Sequence, residues 1–384
     1  MENKAIEKRG LAAIYALCPI RHCVTAFSAA VIVLHLLLRG NKTLIKKLLE
    51  GFVMPLHRSL SQLTAPLPFS LAEWLVVLAV LLGLVYITTQ IRVFAKKGEK
   101  GKRAYRLFVT VLCCALSLYA GFCLLWGNYY YGDDFAAKSG LEASPVSVEE
   151  LETVTRYFAF LANEYSTQVQ RDENGVCGTA HGDIIEKSPE VFLEVEQRYP
   201  CLEGPEVKVK PMVFSRFMSW IDFTGFFSPF TAEANVSVDY PPSMFASTVA
   251  HELSHQRGVA KEQEANFVAV LSSLLYGDAD YCYSACLLAY THLGNSLHGV
   301  DYDAWLQVYG VLNPYVLTDF AANRAYWAQF ESPVQTVSTT VYEGFLQSYD
   351  QKLGMKSYGA CVDLLVNYYY EDAVEYLKEY STGG

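Results

Sequence analysis

Three long apolar stretches in the first third of this 384-residue chain limit its fold more than anything else in it. Cys23–Leu38 is apolar apart from His35 and a few hydroxyls. Leu71–Ile91 is interrupted only by Glu73 and Gln90, and Leu107–Trp126 carries no charge at all. A helix needs about 20 consecutive apolar residues to cross a bilayer, and inside hydrocarbon a lone segment satisfies its backbone only as a helix. Spans are expected at about 23–39, 71–92 and 107–127. The first is the shortest. A signal peptide is its alternative reading, but Leu37-Leu38-Arg39 offers no small-residue cleavage site.

Charge gives an orientation. Arg92, Lys96, Lys97, Lys100, Lys102, Arg103 and Arg106 stand between the second and third stretches against the single acid Glu99. The positive-inside rule places that loop in the cytoplasm, so everything after Asn128 is expected outside it. The Arg39–Ser70 loop fits less well, since it also falls outside yet carries Arg39, Lys42, Lys46, Lys47 and Arg58. Its Leu44–Leu49 segment is amphipathic, as in helices that lie along a membrane surface. Residues 1–130 hold 16 basic and 5 acidic side chains, whereas the remainder holds 14 and 35, a net charge of −21. So acidic a domain is a poor partner for nucleic acid, and anionic lipid repels it, leaving the spans to hold it at the bilayer. The division expected is a membrane region, 1–127, followed by a separate domain, 128–384.

That second domain contains His251-Glu-Leu-Ser-His255. On a helix, His251 and His255 project from one face. Two imidazoles so placed fill two corners of a Zn²⁺ tetrahedron, and a third protein ligand leaves the last corner for water. Glu252 lies beside them, positioned as the general base of a metallopeptidase. Pro241 and Pro242 suit a helix start, Phe245, Val249 and Leu253 supply an apolar face, and Gly258 suits the left-handed residue that ends the helix. The chain then turns through Val259-Ala260-Lys261 into a second helix at Glu262. Glu262 and Glu264 are both candidates for third ligand. Glu262 is preferred because Asn266, four residues on, shares its face and is placed to orient a histidine. Glu264 points to the opposite side of that helix. The bland alternative is a buried helix with two satisfied histidines and no metal.

Around the motif, a helix is expected from Val146 to about Glu164, another around Pro189–Arg198, and short strands at Val207–Lys210 and Asn235–Asp239. An open edge on the second strand would let an extended peptide pair beside the metal. The aromatic run Phe214, Phe217, Trp220, Phe223, Phe226, Phe227 and Phe230 reads first as core, with a membrane-touching lip or a substrate groove as the alternative. Phe267–Leu275 and Tyr281–Leu293 are each too short to span a bilayer and read as a buried helical hairpin. Cys177–Cys201 is a candidate disulfide, while Cys282 and Cys286 read as buried thiols.

The segments Ser228-Pro-Phe-Thr-Ala-Glu-Ala-Asn-Val, His251–Ala260, Glu262-Gln-Glu-Ala-Asn-Phe-Val-Ala and Tyr349-Asp…Ser357-Tyr-Gly…Val362-Asp-Leu-Leu resemble a bacterial family of membrane proteins of unknown function. That family looks like zinc metallopeptidases with N-terminal spans. Glu262-x-x-Ala-Asn266 also resembles the Glu-x-x-Ala-Asp/Asn helix of gluzincin-type peptidases, in which the first Glu is the ligand. The resemblance implies three transmembrane helices followed by a mainly α (α+β) zincin-like metallopeptidase domain, with a small sheet beside the active-site helix.

The leading expectation is therefore a multi-pass cell-membrane protein that hydrolyses peptides or proteins outside the cytoplasm. Its zinc would be held by His251, His255 and Glu262, with Glu252 as base and Asn266 behind a histidine. His292, Arg324 and Tyr358 are weaker candidates for stabilising an oxyanion. A membrane sensor, or an envelope scaffold built on a catalytically silent zincin fold, is the rival reading.

Overall fold

The computed structural model describes residues 14–94, 99–141, 143–348 and 358–382. The chain is mainly helical. In order the helices are α1 (Pro19–Leu38), α2 (Lys42–Leu48), α3 (Met54–Thr64), α4 (Leu71–Phe94), α5 (Lys100–Leu125), α6 (Phe135–Ser139), α7 (Val148–Ser166), α8 (His181–Lys187), α9 (Leu193–Arg198), α10 (Ser215–Trp220), α11 (Phe245–Gln256), α12 (Glu262–Tyr276), α13 (Ala279–Val300), α14 (Tyr302–Tyr309), α15 (Pro314–Trp327), α16 (Pro333–Ser348) and α17 (Tyr358–Thr382). Three short strands, β1 (Lys210–Pro211), β2 (Gly225–Ser228) and β3 (Glu233–Val236), precede α11. The chain divides into two compact units, residues 1–53 with 72–132, and residues 54–71 with 133–384.

In the first unit, α1, α4 and α5 are each long and apolar enough to cross a membrane. Pro19 occupies the first turn of α1, so this helix begins four residues before the apolar run does. Most of each helix surface is exposed. On α4, Leu75, Val76, Leu78, Leu81, Leu82 and Val85 point outward around the axis, a pattern that suits lipid better than water. Polar pairs join the helices, as expected where hydrophobic contrast is weak. The Ser28 and Ser117 hydroxyls meet at 3.1 Å, those of Tyr86 and Thr110 at 3.1 Å, and His35 Nδ1 donates to Asn128 Oδ1 at 2.9 Å.

The Arg39–Ser70 segment is largely helical. It forms α2, a π-helical turn and α3, and Met54–Leu71 belongs to the second unit. Two charged residues of the sheet clamp its end. Lys210 Nζ donates to the carbonyls of Thr64 (3.0 Å), Ala65 (2.9 Å) and Leu67 (2.5 Å). Glu233 Oε1 accepts from the Leu71 amide at 3.1 Å. Both side chains are buried, and each satisfies backbone groups that a helix end leaves open.

The core of the second unit is helical. Ser147 and Glu150 form a capping box that starts α7, whose buried face (Leu151, Val154, Phe158, Ala162) joins α13 and α17 in one cluster. Helices α12 and α13 form the expected buried hairpin, with Gly277 at φ 77° ending the first and Asp278 capping the second. The sheet order is β1-β3-β2. β3 is parallel to β1, with Lys210 opposite Asn235, and antiparallel to β2, with Gly225 opposite Val236. This corrects two expectations. The first strand begins only at Lys210, and β3 is the central strand, so the outer edges belong to β1 and β2. Cys177 and Cys201 are both free thiols rather than a disulfide, and Cys282 and Cys286 are buried thiols.

Candidate metal centre

Helix α11 is positioned by its fully buried Phe245, Val249 and Leu253, after a short 3-10 turn over Pro242–Met244. Its end is a Schellman motif. Gly258 adopts φ 85°, its amide donates to His255 O at 2.9 Å, and the Val259 amide donates to Ser254 O at 3.1 Å. This turn brings the start of α12 back across α11 after three residues.

The result is a cluster of His251, His255 and Glu262, whose potential ligand atoms all lie within 4.8 Å of one another. Glu262 Oε2 is 3.2 Å from His251 Nε2 and 3.6 Å from His255 Nε2. The rings are 4.6 Å apart and perpendicular. Each imidazole spends its other nitrogen on a fixed acceptor. His251 Nδ1 donates to Asn266 Oδ1 at 2.9 Å, and His255 Nδ1 donates to Val259 O at 2.6 Å. Both Nε2 atoms are thereby turned toward the carboxylate, the arrangement that metal-ligating histidines adopt. In a tetrahedral zinc site with bonds of roughly 2.0–2.1 Å, ligand atoms sit about 3.3 Å apart, close to these separations. The donor set fits zinc.

Charge holds the cluster together as it stands. Burial would lower His255, but the Glu262 carboxylate outweighs it and lifts the imidazole to about 9. Burial acts to raise Glu262, and the two histidines pull it well below the usual carboxylate range. Glu262 Oε1 accepts from the Tyr342 hydroxyl at 2.7 Å.

Glu252 lies next to this cluster and is 4% exposed. Its Oε2 has no hydrogen-bond partner among the described residues. Burying such an oxygen unpaired is costly, and an orphaned buried polar atom calls for an explanation. Burial raises Glu252 to about 7, with His251 and His255 opposing and Glu262 adding to the rise. Gly225 of β2 lies directly over it. A Cβ at this position would come within 2.7 Å of Glu252 Cγ and Oε1 and within 2.8 Å of Asn235 O.

The other sequence candidates separate. Glu264 faces away and accepts from the amides of Phe135 (2.9 Å) and Ala136 (3.0 Å), capping α6. Burial and the nearby Asp134 raise its carboxyl. His292 is buried on α13, and burial first and then His251 lower it to about 4, so it lies within electrostatic reach of the cluster. Arg324 is exposed on α15. The Tyr358 side chain and the Tyr349–Ser357 stretch lie outside the described residues. Reasoning from sequence did not single out Tyr342 or Gly225. Nothing local marks Tyr342, whereas a glycine inside a strand is itself a sign of close backbone approach. The aromatic run is not core throughout. Phe214, Phe217, Trp220 and Phe230 are exposed.

A mainly helical protein with three membrane-length helices and a partly buried two-histidine, one-carboxylate cluster is the class these features define. The chain belongs to the DUF3810 family of proteins of unknown function, whose profile matches residues 49–366. The match includes α4, α5, the cluster, Gly225 and Tyr342. No curated protein and no solved structure matches the chain.

Proposed function

We propose that the protein is a membrane-anchored zinc peptidase with a zincin-like centre, acting on proteins or peptides outside the cytoplasm. The observation that carries this reading is the convergence of His251, His255 and Glu262 beside a buried carboxylate, Glu252, that has an unpaired oxygen.

His251, His255 and Glu262 would hold the ion. When bound, zinc supplies Lewis acidity, which acidifies water and polarises a carbonyl. The chain's own residues do the rest. Asn266 and the Val259 carbonyl fix the tautomers of the two histidines. Tyr342 fixes the rotamer of Glu262. Burial pushes Glu252 up to about 7, and its place beside the cluster suits it to take a proton from attacking water and give it to the leaving amine. β2 is an outer strand of the sheet, with Gly225 over Glu252, and an extended peptide pairing with it would lie beside the cluster. Such pairing reads the main chain and leaves side-chain preference to neighbouring pockets. The basic segment between α4 and α5 favours the cytoplasm, which supports an extracytoplasmic second unit.

The test is hydrolysis of a peptide library by the full chain in detergent. We expect Glu252→Gln to retain its metal and to lose activity by about a hundredfold or more. Undiminished hydrolysis by that variant would exclude the mechanism.

A further inference from the structure

Helix α10 is anchored by one face and exposed on the other. Ser215, Met218 and Ser219 are buried. The Ser215 hydroxyl accepts from the Val238 amide at 2.9 Å, and the hydroxyls of Ser219 and Tyr326 meet at 2.6 Å. The opposite face and the residues leading into it, Val213, Phe214, Phe217 and Trp220, are between 45% and 62% exposed. Four large apolar side chains within eight residues form a patch of the kind that marks an interaction surface. Arg216, the one charge among them, is paired to Asp239 at 3.2 Å. The exposed apolar surface continues onto α16, which is tied to the end of α10 by the Ser338 hydroxyl donating to Ile221 O at 2.8 Å. There Val337 and Val341 are also exposed.

The chain itself indicates what covers this surface. The α10 lip follows β1 directly, and Lys210 of β1 grips the carbonyls of Thr64, Ala65 and Leu67. Glu233 of the neighbouring strand grips the amide of Leu71, which is the first residue of the apolar helix α4. The clamped turn is thus the point from which the chain enters a membrane-length helix. Val213 is three residues from Lys210, at most about 11 Å of chain. Tryptophan is enriched in the interfacial layer of a bilayer, and phenylalanine accompanies it on the apolar faces of helices that lie there.

We propose that Val213, Phe214, Phe217 and Trp220, with Val337 and Val341 beside them, form a lip seated in the interfacial layer of the bilayer that α4 enters. The lip works by apolar burial. Its seating therefore requires no anionic lipid, which fits a unit of strongly acidic composition. The proposal does not depend on the metal centre and stands or falls apart from the peptidase reading.

The experiment uses Trp220 as its own probe. The full chain and Trp220→Phe are reconstituted in zwitterionic phosphatidylcholine vesicles, with or without brominated acyl chains. The difference between their emissions isolates Trp220 from the other tryptophans. We expect that component to lose most of its intensity to brominated lipid, to be insensitive to aqueous iodide, and to be unchanged at high salt. Quenching by iodide with indifference to brominated lipid would overturn the proposal. So would protection from both, which would mean that protein, such as a second copy, covers the lip.

Discussion

The Tyr342 hydroxyl donates to Glu262 Oε1 at 2.7 Å, across eighty residues of sequence. Glu262 Oε2 meanwhile faces both histidine Nε2 atoms, so one carboxylate is oriented from behind by α16 and engaged in front by α11. A hydrogen bond behind a ligating carboxylate sets its rotamer and basicity. Losing such a contact typically weakens metal binding by about 10- to 100-fold. Tyr342→Phe keeps the ring against Phe223, 5.2 Å between centroids, and should leave the fold intact. We expect zinc affinity, measured by competition with a chromogenic chelator, to fall about tenfold. An unchanged affinity would show that this contact is only structural.

A substitution at Gly225 tests the proposed base, Glu252, separately from the proposed ligands. An alanine there collides first with Glu252 and with Asn235 O. Displacing a catalytic group by about 1 Å costs on the order of a hundredfold. Gly225→Ala should therefore retain its metal and lose hydrolysis to that extent. Equal loss of metal and activity would mean that the strand supports the whole cluster instead.

Much of this site was legible in the sequence because its determinants are local. His251, Glu252 and His255 share one helix, Gly258 encodes the Schellman turn, and Asn266 follows Glu262 by one helical turn. The choice of Glu262 over Glu264 rested on helical phase, and the structure turns Glu264 toward the amides of Phe135 and Ala136. What sequence could not supply was long-range. Tyr342 reaches the site only through the packing of α16. The register that makes β3 central depends on pairing with β1 and β2, which no local pattern specifies. The aromatic run misled because hydrophobicity was equated with burial, whereas α10 buries serines and exposes Phe217 and Trp220. The attachment of Met54–Leu71 was equally out of reach, since it is held by Lys210, Glu233 and Gln256, whose Nε2 donates to the Ser61 hydroxyl at 3.1 Å.

That clamp has an energetic consequence. In Lys210→Met the carbonyls of Thr64, Ala65 and Leu67 lose a buried charged donor. Hydrogen bonds to charged groups contribute roughly 1.5–3 kcal/mol each, so a loss of about 3 kcal/mol is a conservative expectation. For a unit of this size it lowers the unfolding midpoint by roughly 6–12 °C. Thermal unfolding of the full chain in detergent measures it, and an unmoved midpoint would show that the clamp contributes nothing. For the same reason, a fragment starting at Asn128 should be less stable than the whole chain, because it lacks α3.

Acid should loosen the same region. His57 of α3 is buried, donates from Nε2 to Pro229 O at 3.1 Å, and is lowered to about 4, burial outweighing that hydrogen bond. Its folded value is thus depressed below the unfolded one, near 6.5. Between these values the unfolded chain binds the extra proton, so the stability present above pH 6.5 is lost as pH falls toward 4. The contribution is at most about 3 kcal/mol. We expect His57→Gln, whose amide still reaches Pro229 O, to lose less stability than the wild type between pH 7 and pH 5. Parallel losses in the two proteins would assign the acid sensitivity to other groups.

The central claim is that His251, His255 and Glu262 hold a zinc ion, and elemental analysis of the purified full chain tests it most directly. The account predicts one zinc per wild-type chain and none in a folded His251→Ala variant. A folded wild-type chain without zinc, or a variant that retains it, would contradict the account.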